Sequence, residues 1–67
     1  MIFKKINNDF NMLTGKIGIS ESELNPKGTV LIEDEIFEVT AEDGFVETGR
    51  GVKVTRVQGR KIFVRRV

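Results

Sequence analysis

The chain contains no cysteine and no histidine, and each absence removes a class of chemistry. Without thiols no disulfide can staple the fold, and Cys/His zinc sites go with them. Ser-His-Asp and Cys-His catalysis are excluded for the same reason. Tryptophan and tyrosine are also missing, so five phenylalanines make up the whole aromatic complement. No run approaches the ~20 consecutive apolar residues of a membrane span, and no secretory signal pattern occurs. What is present is a chain of 67 residues, 39% hydrophobic and 31% charged, which suits one small folded domain rather than a disordered segment.

The net charge of +1 hides a segregation. Residues 21–47 hold the acids Glu21, Glu23, Glu33, Asp34, Glu35, Glu38, Glu42, Asp43 and Glu47 against one base, Lys27. Residues 50–67 hold Arg50, Lys53, Arg56, Arg60, Lys61, Arg65 and Arg66 and no acid. Such asymmetry marks either a face for an anionic partner or acidic and basic strands that pair across a sheet. Pairing is the expectation.

Seven glycines and Pro26 cut the chain into short runs rich in Val, Ile, Phe and Thr. Five strands are expected, at about 15–20, 28–33, 36–41, 51–58 and 61–66. A two-residue turn at Glu33-Asp34 sets Val30 opposite Phe37 and Leu31 opposite Ile36. A turn at Asp34-Glu35 keeps the same facing. A second hairpin forms around Gln58-Gly59. Val52 and Val54 share a face, but Val57 falls on the other parity, which predicts a β-bulge near Thr55 or Arg56. Gly28 and Gly44 read as positive-φ turn residues. The expected core is Ile17, Ile19, Leu24, Val30, Ile32, Phe37, Val39, Phe45, Val52, Val54, Val57, Ile62 and Val64.

Short antiparallel strands with a long connection at 42–50 predict an all-β, small five-stranded antiparallel Greek-key barrel, the OB-fold, with an SH3-like barrel as the alternative. Residues 13–67 form this domain. Residues 1–12 are an N-terminal tail or linker. Phe3, Ile6, Phe10 and Leu13 share a helical spacing, yet Asn7, Asn8, Asp9 and Asn11 are poor helix formers, so a mobile tail is expected there.

The stretch Leu13-Thr14-Gly15-Lys16-Ile17-Gly18, the turn Asn25-Pro26-Lys27-Gly28 and the loop Gly44-Phe45-Val46-Glu47-Thr48-Gly49 occur in that order. Val52-Lys53-Val54-Thr55-Arg56-Val57-Gln58-Gly59 and Ile62-Phe63-Val64 close the chain. This arrangement resembles the soluble C-terminal domain of NfeD-like membrane proteins, over about residues 13–66. The resemblance implies an OB barrel carried on a membrane-anchored protein, with a stomatin/flotillin-like (SPFH) scaffold protein as partner. It also implies that the membrane is reached through a segment of a longer parent protein, that this chain is an excised domain or a solo version, and that the domain lies on the cytoplasmic side. The family's usual Asp-Gly-like turn is replaced here by Glu33-Asp34.

No cofactor or metal is expected. The acids Glu33, Asp34, Glu35 and Glu38 match no EF-hand spacing and read as a solvated hairpin tip. No glycine-rich loop leads into a helix with a Lys-Ser/Thr pair, which argues against a phosphate cradle. No pairing of nucleophile and general base can be assigned, so no catalytic activity is expected. The outward apolar residues Leu31, Ile36 and Phe63 are the candidate protein-contact surface, rimmed by Arg56, Lys61 and Arg65. Whether the three cluster or scatter is left open by strand order alone. The expected function is a protein-interaction module that engages an SPFH scaffold or its own copies. The alternative is single-stranded nucleic-acid binding by the basic fourth and fifth strands.

Overall fold

The structure is a computed structural model that describes residues 11–67. Residues 1–10 of the expected tail, with the helical spacing at Phe3, Ile6 and Phe10, lie outside the described residues, whereas Asn11 and Met12 are described. A 3-10 turn at Asn11–Leu13 precedes five strands: β1 (Ile17–Ser20), β2 (Lys27–Ile32), β3 (Glu35–Ala41), β4 (Gly51–Gln58) and β5 (Lys61–Arg66). They close into a barrel in the order β1-β2-β3-β5-β4.

Four of the five ladders are antiparallel, and β3 pairs with β5 in parallel. An all-antiparallel barrel was expected, but directions cannot alternate around a closed ring with an odd number of members. One ladder must therefore be parallel. That ladder is short, with the two register pairs Thr40↔Phe63 and Ala41↔Val64.

The β2–β3 hairpin has the expected register, with Val30 opposite Phe37 and Leu31 opposite Ile36. Its turn residues Glu33 and Asp34 adopt φ of 50° and 70°, as a tight hairpin with the native twist demands. In the β4–β5 hairpin Gln58 pairs with Lys61, so the turn is Gly59-Arg60, one residue beyond the expected position. The register shifts between Val54 and Arg56, which leaves Thr55 as the extra residue of the predicted bulge.

Alternation fills the barrel from four strands: Val30 and Ile32, Val39 and Ala41, Val52 and Val54, and Ile62 and Val64 are all buried. Leu13, Leu24 and Val46 complete the buried core from outside the strands, with Phe37 and Val57 packed against it. Leu24 and Val46 exchange backbone hydrogen bonds of 2.9 Å in each direction, which ties the 42–50 connection to the β1–β2 connection.

Three expected core residues face outward. Ile17 is 59% exposed, Ile19 45% and Phe45 43%. Phe45 yields its place to Val46, because the bridge to Leu24 fixes which member of that apolar pair points in. In β1 the inward positions belong to Gly18 and Ser20. A Cβ on Gly18 would lie 2.4 Å from the Leu31 carbonyl oxygen and 2.7 Å from Ile32 Cγ1. The neighbouring strand thus comes too close for any side chain at that position. Ser20 satisfies its buried hydroxyl by donating to Glu47 O (2.6 Å) and accepting from Arg50 N (2.9 Å). Gly28 is likewise a close-approach glycine, within β2, and not the positive-φ turn residue expected. Its Cβ would meet the Glu23 carbonyl oxygen at 2.3 Å.

Two stability measurements follow from this packing. Gly18→Ala should lower unfolding free energy by ~1–3 kcal/mol, as overpacking against backbone does, whereas Ile19→Ala should stay within ~1 kcal/mol despite removing the larger side chain. Urea unfolding of both variants checks the order, and a larger loss at Ile19 would contradict it. The hairpin variant Glu33→Asn, Asp34→Gly should gain about 0.4–1 kcal/mol, because those residues accept positive φ with less strain. Thermal unfolding beside the parent chain measures that gain.

Candidate protein-contact face

Because β1 turns its small residues inward, its isoleucines reach the outer surface beside β2. Ile19 pairs with Leu31, and Leu31 pairs with Ile36. Side chains of directly opposed residues lie about 4.5–5.5 Å apart at Cβ. Ile19, Leu31 and Ile36 therefore form a continuous apolar row across β1, β2 and β3. Ile17 lies two positions along β1 from Ile19, on the same outward face. Leu31 in the middle is half-buried, while Ile36 is 55% exposed.

Leu31 and Ile36 thus meet, as the hairpin register requires. Phe63 sits elsewhere on the same face, opposite Thr40 on β3, four residues beyond Ile36. At ~3.3 Å per residue that is about 13 Å along the strand. Sequence reasoning missed Ile17 and Ile19, having assigned both to the core. The available signal was residue size: Gly18 and Ser20 are the small residues that a tightly closed inner face accepts.

Phe63 is half-buried beneath Arg56, whose guanidinium carbon stands 4.2 Å from the ring centroid. Such a contact contributes about 0.5–1 kcal/mol at an exposed site. The same guanidinium donates to Glu42 Oε2 at 3.2 Å. The hydroxyl of the bulge residue Thr55 is shared between Glu42 Oε1 (3.0 Å) and the Phe63 carbonyl (3.2 Å). Arg65 pairs with Asp43 at 3.5 Å, and Asp43 also accepts the Arg66 backbone N–H. Acids do meet two bases of β4 and β5, Arg56 and Arg65, but they come from the 42–50 connection rather than from β2 and β3. Glu42 and Asp43 follow directly on the end of β3, where the parallel ladder delivers them beside β4 and β5.

Lys61, the third of the expected rim residues, makes no ion pair among the described residues. It lines a groove of about 260 Å³ together with Lys27, Glu38, Thr40, Arg60 and Phe63. At the opposite hairpin tip Glu33 is held by Lys16 at 2.7 Å. Among the described residues no group of three or more acids converges as a metal site.

A family model described as the NfeD-like C-terminal, partner-binding domain matches residues 10–66. The chain is 46% identical over 55 residues to Membrane protein NfeD1b of Bacillus subtilis (strain 168), a match covering 82% of this chain and 13% of that protein. It is similar in structure, with a TM-score of 0.79 and 30% identity, to the C-terminal domain of stomatin operon partner protein 1510-C from Pyrococcus horikoshii. That alignment covers 84% of this chain and 89% of the solved one.

The Glu42 network is partly solvated, with side-chain exposures of 53% for Arg56 and 30% for Glu42. Glu42→Gln should therefore cost under about 1 kcal/mol at low salt, and less in 0.5 M salt, where exposed pairs are screened. Unfolding curves of parent and variant at both ionic strengths test this. A loss that is independent of salt would place the role of Glu42 in packing rather than charge.

Proposed function

The chain belongs to the family of NfeD-like C-terminal, partner-binding domains, and from that premise we propose that it is a non-catalytic protein-interaction module displayed beside a membrane on its cytoplasmic side. Its partner is a stomatin/flotillin-type (SPFH) scaffold protein, or a second copy of the domain. The relative named as a membrane protein and the neighbour named as a stomatin operon partner support that direction.

One observation carries the reading. The outer face of β1, β2 and β3 exposes a contiguous aliphatic row in a domain small enough that each such residue is costly to leave in water. Clustered exposed apolar side chains are the usual mark of a protein contact. Ile19, Leu31 and Ile36 supply the desolvated centre, with Phe63 as an anchor further along. Lys61, Arg56 and Arg65 stand around Phe63, where rim charges govern encounter rate and specificity more than affinity.

The nucleic-acid alternative has less support. Single-strand binders stack bases on exposed aromatic rings. Here one face of Phe63 is covered by Arg56, and Arg50, Arg56 and Arg65 are engaged by acids of the 42–50 connection.

The test is a pull-down of a stomatin-like protein by the purified chain, with thermal unfolding run in parallel. Ile36→Ser and Phe63→Ala should each weaken the contact by ~1–3 kcal/mol, as truncated hot spots do, while the fold persists. Leu24→Ala, in the fully buried core, should destabilise the domain by ~2–5 kcal/mol. Undiminished binding by both surface variants would remove this face from the proposal. Reproducible turnover abolished by a single carboxylate substitution would remove the non-catalytic reading.

A further inference from the structure

The parallel ladder between β3 and β5 stops early, and this leaves backbone groups open. Ala41 N–H donates to Pro26 O on the β2 side, whereas Glu42 N–H donates to Val64 O on the β5 side. Alternation along a strand then directs the N–H and C=O of Phe37 and Val39 toward β2, and those of Ile36, Glu38 and Thr40 toward β5. Thr40 is within the ladder. Ile36 and Glu38 lie before its first pair, so among the described residues their edge is paired with no strand, although β5 begins nearby at Lys61. An unpaired strand edge is a template for another chain.

The groove along this seam has a definite charge. Lys16, Arg50, Arg56 and Arg65 are each paired with an acid. Lys27, Arg60 and Lys61 have no ion pair among the described residues, and all three line the groove, against the single acid Glu38. These three bases gather around the open edge, while Lys53 and Arg66, also without an ion pair among the described residues, lie elsewhere on β4 and β5. Ile36 at one end and Phe63 at the other place apolar contacts about 13 Å apart, the reach of four extended residues.

We propose that the seam between β3 and β5 binds an extended acidic peptide segment of the partner, which adds as a strand to the β3 edge at Ile36 and Glu38. Its carboxylates meet Lys27, Arg60 and Lys61. This rests on the partner-binding reading above and specifies its recognition mode: backbone hydrogen bonds supply register, and side-chain charge supplies selectivity. A nucleic-acid strand would find the same cations but could not pair with the strand edge, so the backbone geometry favours a peptide.

The probe is a capped hexapeptide of alternating valine and glutamate, titrated into the whole 67-residue chain and followed by amide NMR. Its valine-lysine counterpart, an oligothymidylate and anionic lipid vesicles are titrated alongside. Binding of the acidic peptide should slow hydrogen exchange at the Ile36 and Glu38 amides. The lysine peptide should not bind, and Arg60→Glu with Lys61→Glu should weaken the acidic peptide by about tenfold or more. Glu38→Pro removes the seam N–H without touching the hydrogen bonds to β2 and should abolish binding, whereas Glu38→Ala should retain it. The charge-reversed variant, on exposed hairpin residues, keeps the test decisive if Glu38→Pro unfolds. Equal binding of both peptides, preferential binding of the oligonucleotide or vesicles, or protection elsewhere overturns the inference, as does absence of peptide binding. If a stomatin-like protein binds the parent chain and the Arg60/Lys61 variant equally, the seam is wrong and the partner-binding reading stands. If it binds neither, while the acidic peptide still occupies the seam, the choice of scaffold partner fails instead.

Discussion

At Gly18 the strands β1 and β2 approach too closely for any side chain, and much of the outer surface follows from it. β1 has four residues and must pair with both β2 and β4. With the Leu31 carbonyl 2.4 Å from where a Cβ would stand, the inner face of β1 has room for a hydrogen at that position and little more. Ser20, the other inward residue, uses its hydroxyl to hold the 42–50 connection. Strand alternation then sends Ile17 and Ile19 outward. The exposed apolar row is therefore a geometric consequence of closure in a domain with very little interior.

Closure has a second consequence. A ring of five strands requires one parallel neighbour, and the β3–β5 ladder is the place where that requirement is met. It holds for two register pairs and then opens. The antiparallel β2–β3 and β4–β5 hairpins on either side are longer, with six register pairs each. This parallel ladder lies beside Phe63, Thr40 and Lys61. The same topology carries Glu42 and Asp43 from the end of β3 onto β4 and β5.

That placement sorts the basic residues. Arg56 and Arg65 meet carboxylates from the connection, and Arg50 meets Glu47 within it. These exposed pairs add little to stability individually. Their larger effect is to fix side chains, as Arg56 is fixed between Glu42 and the Phe63 ring. The hairpin-tip bases and Lys27 stay uncompensated around the open seam. A charge of +1 for the whole chain thus coexists with a local surplus of cations.

Local pattern determined much of this molecule. Glycine spacing and alternation delimit the strands, the Val30/Phe37 and Leu31/Ile36 pairs follow from a two-residue turn, and the parity break at Val57 narrows the bulge to Thr55 or Arg56, of which the register selects Thr55. These features depend on neighbours near in sequence, where period-two alternation is unambiguous. The ordered glycines, the Pro26 turn and the Phe45-Val46 loop also carried the family resemblance. Tertiary structure decided what local pattern leaves degenerate. In Ile17-Gly18-Ile19-Ser20 residue size hints at the inward parity, but the approach of β2 is what forces the isoleucines out. In Phe45-Val46 only the bridge to Leu24 selects the inward residue. Phe63 was legible as outward, but its distance from Ile36 and its cover by Arg56 depend on β5 lying beside β3. That neighbour relation is set by barrel closure, which joins residues more than twenty positions apart and leaves no periodic trace in the chain.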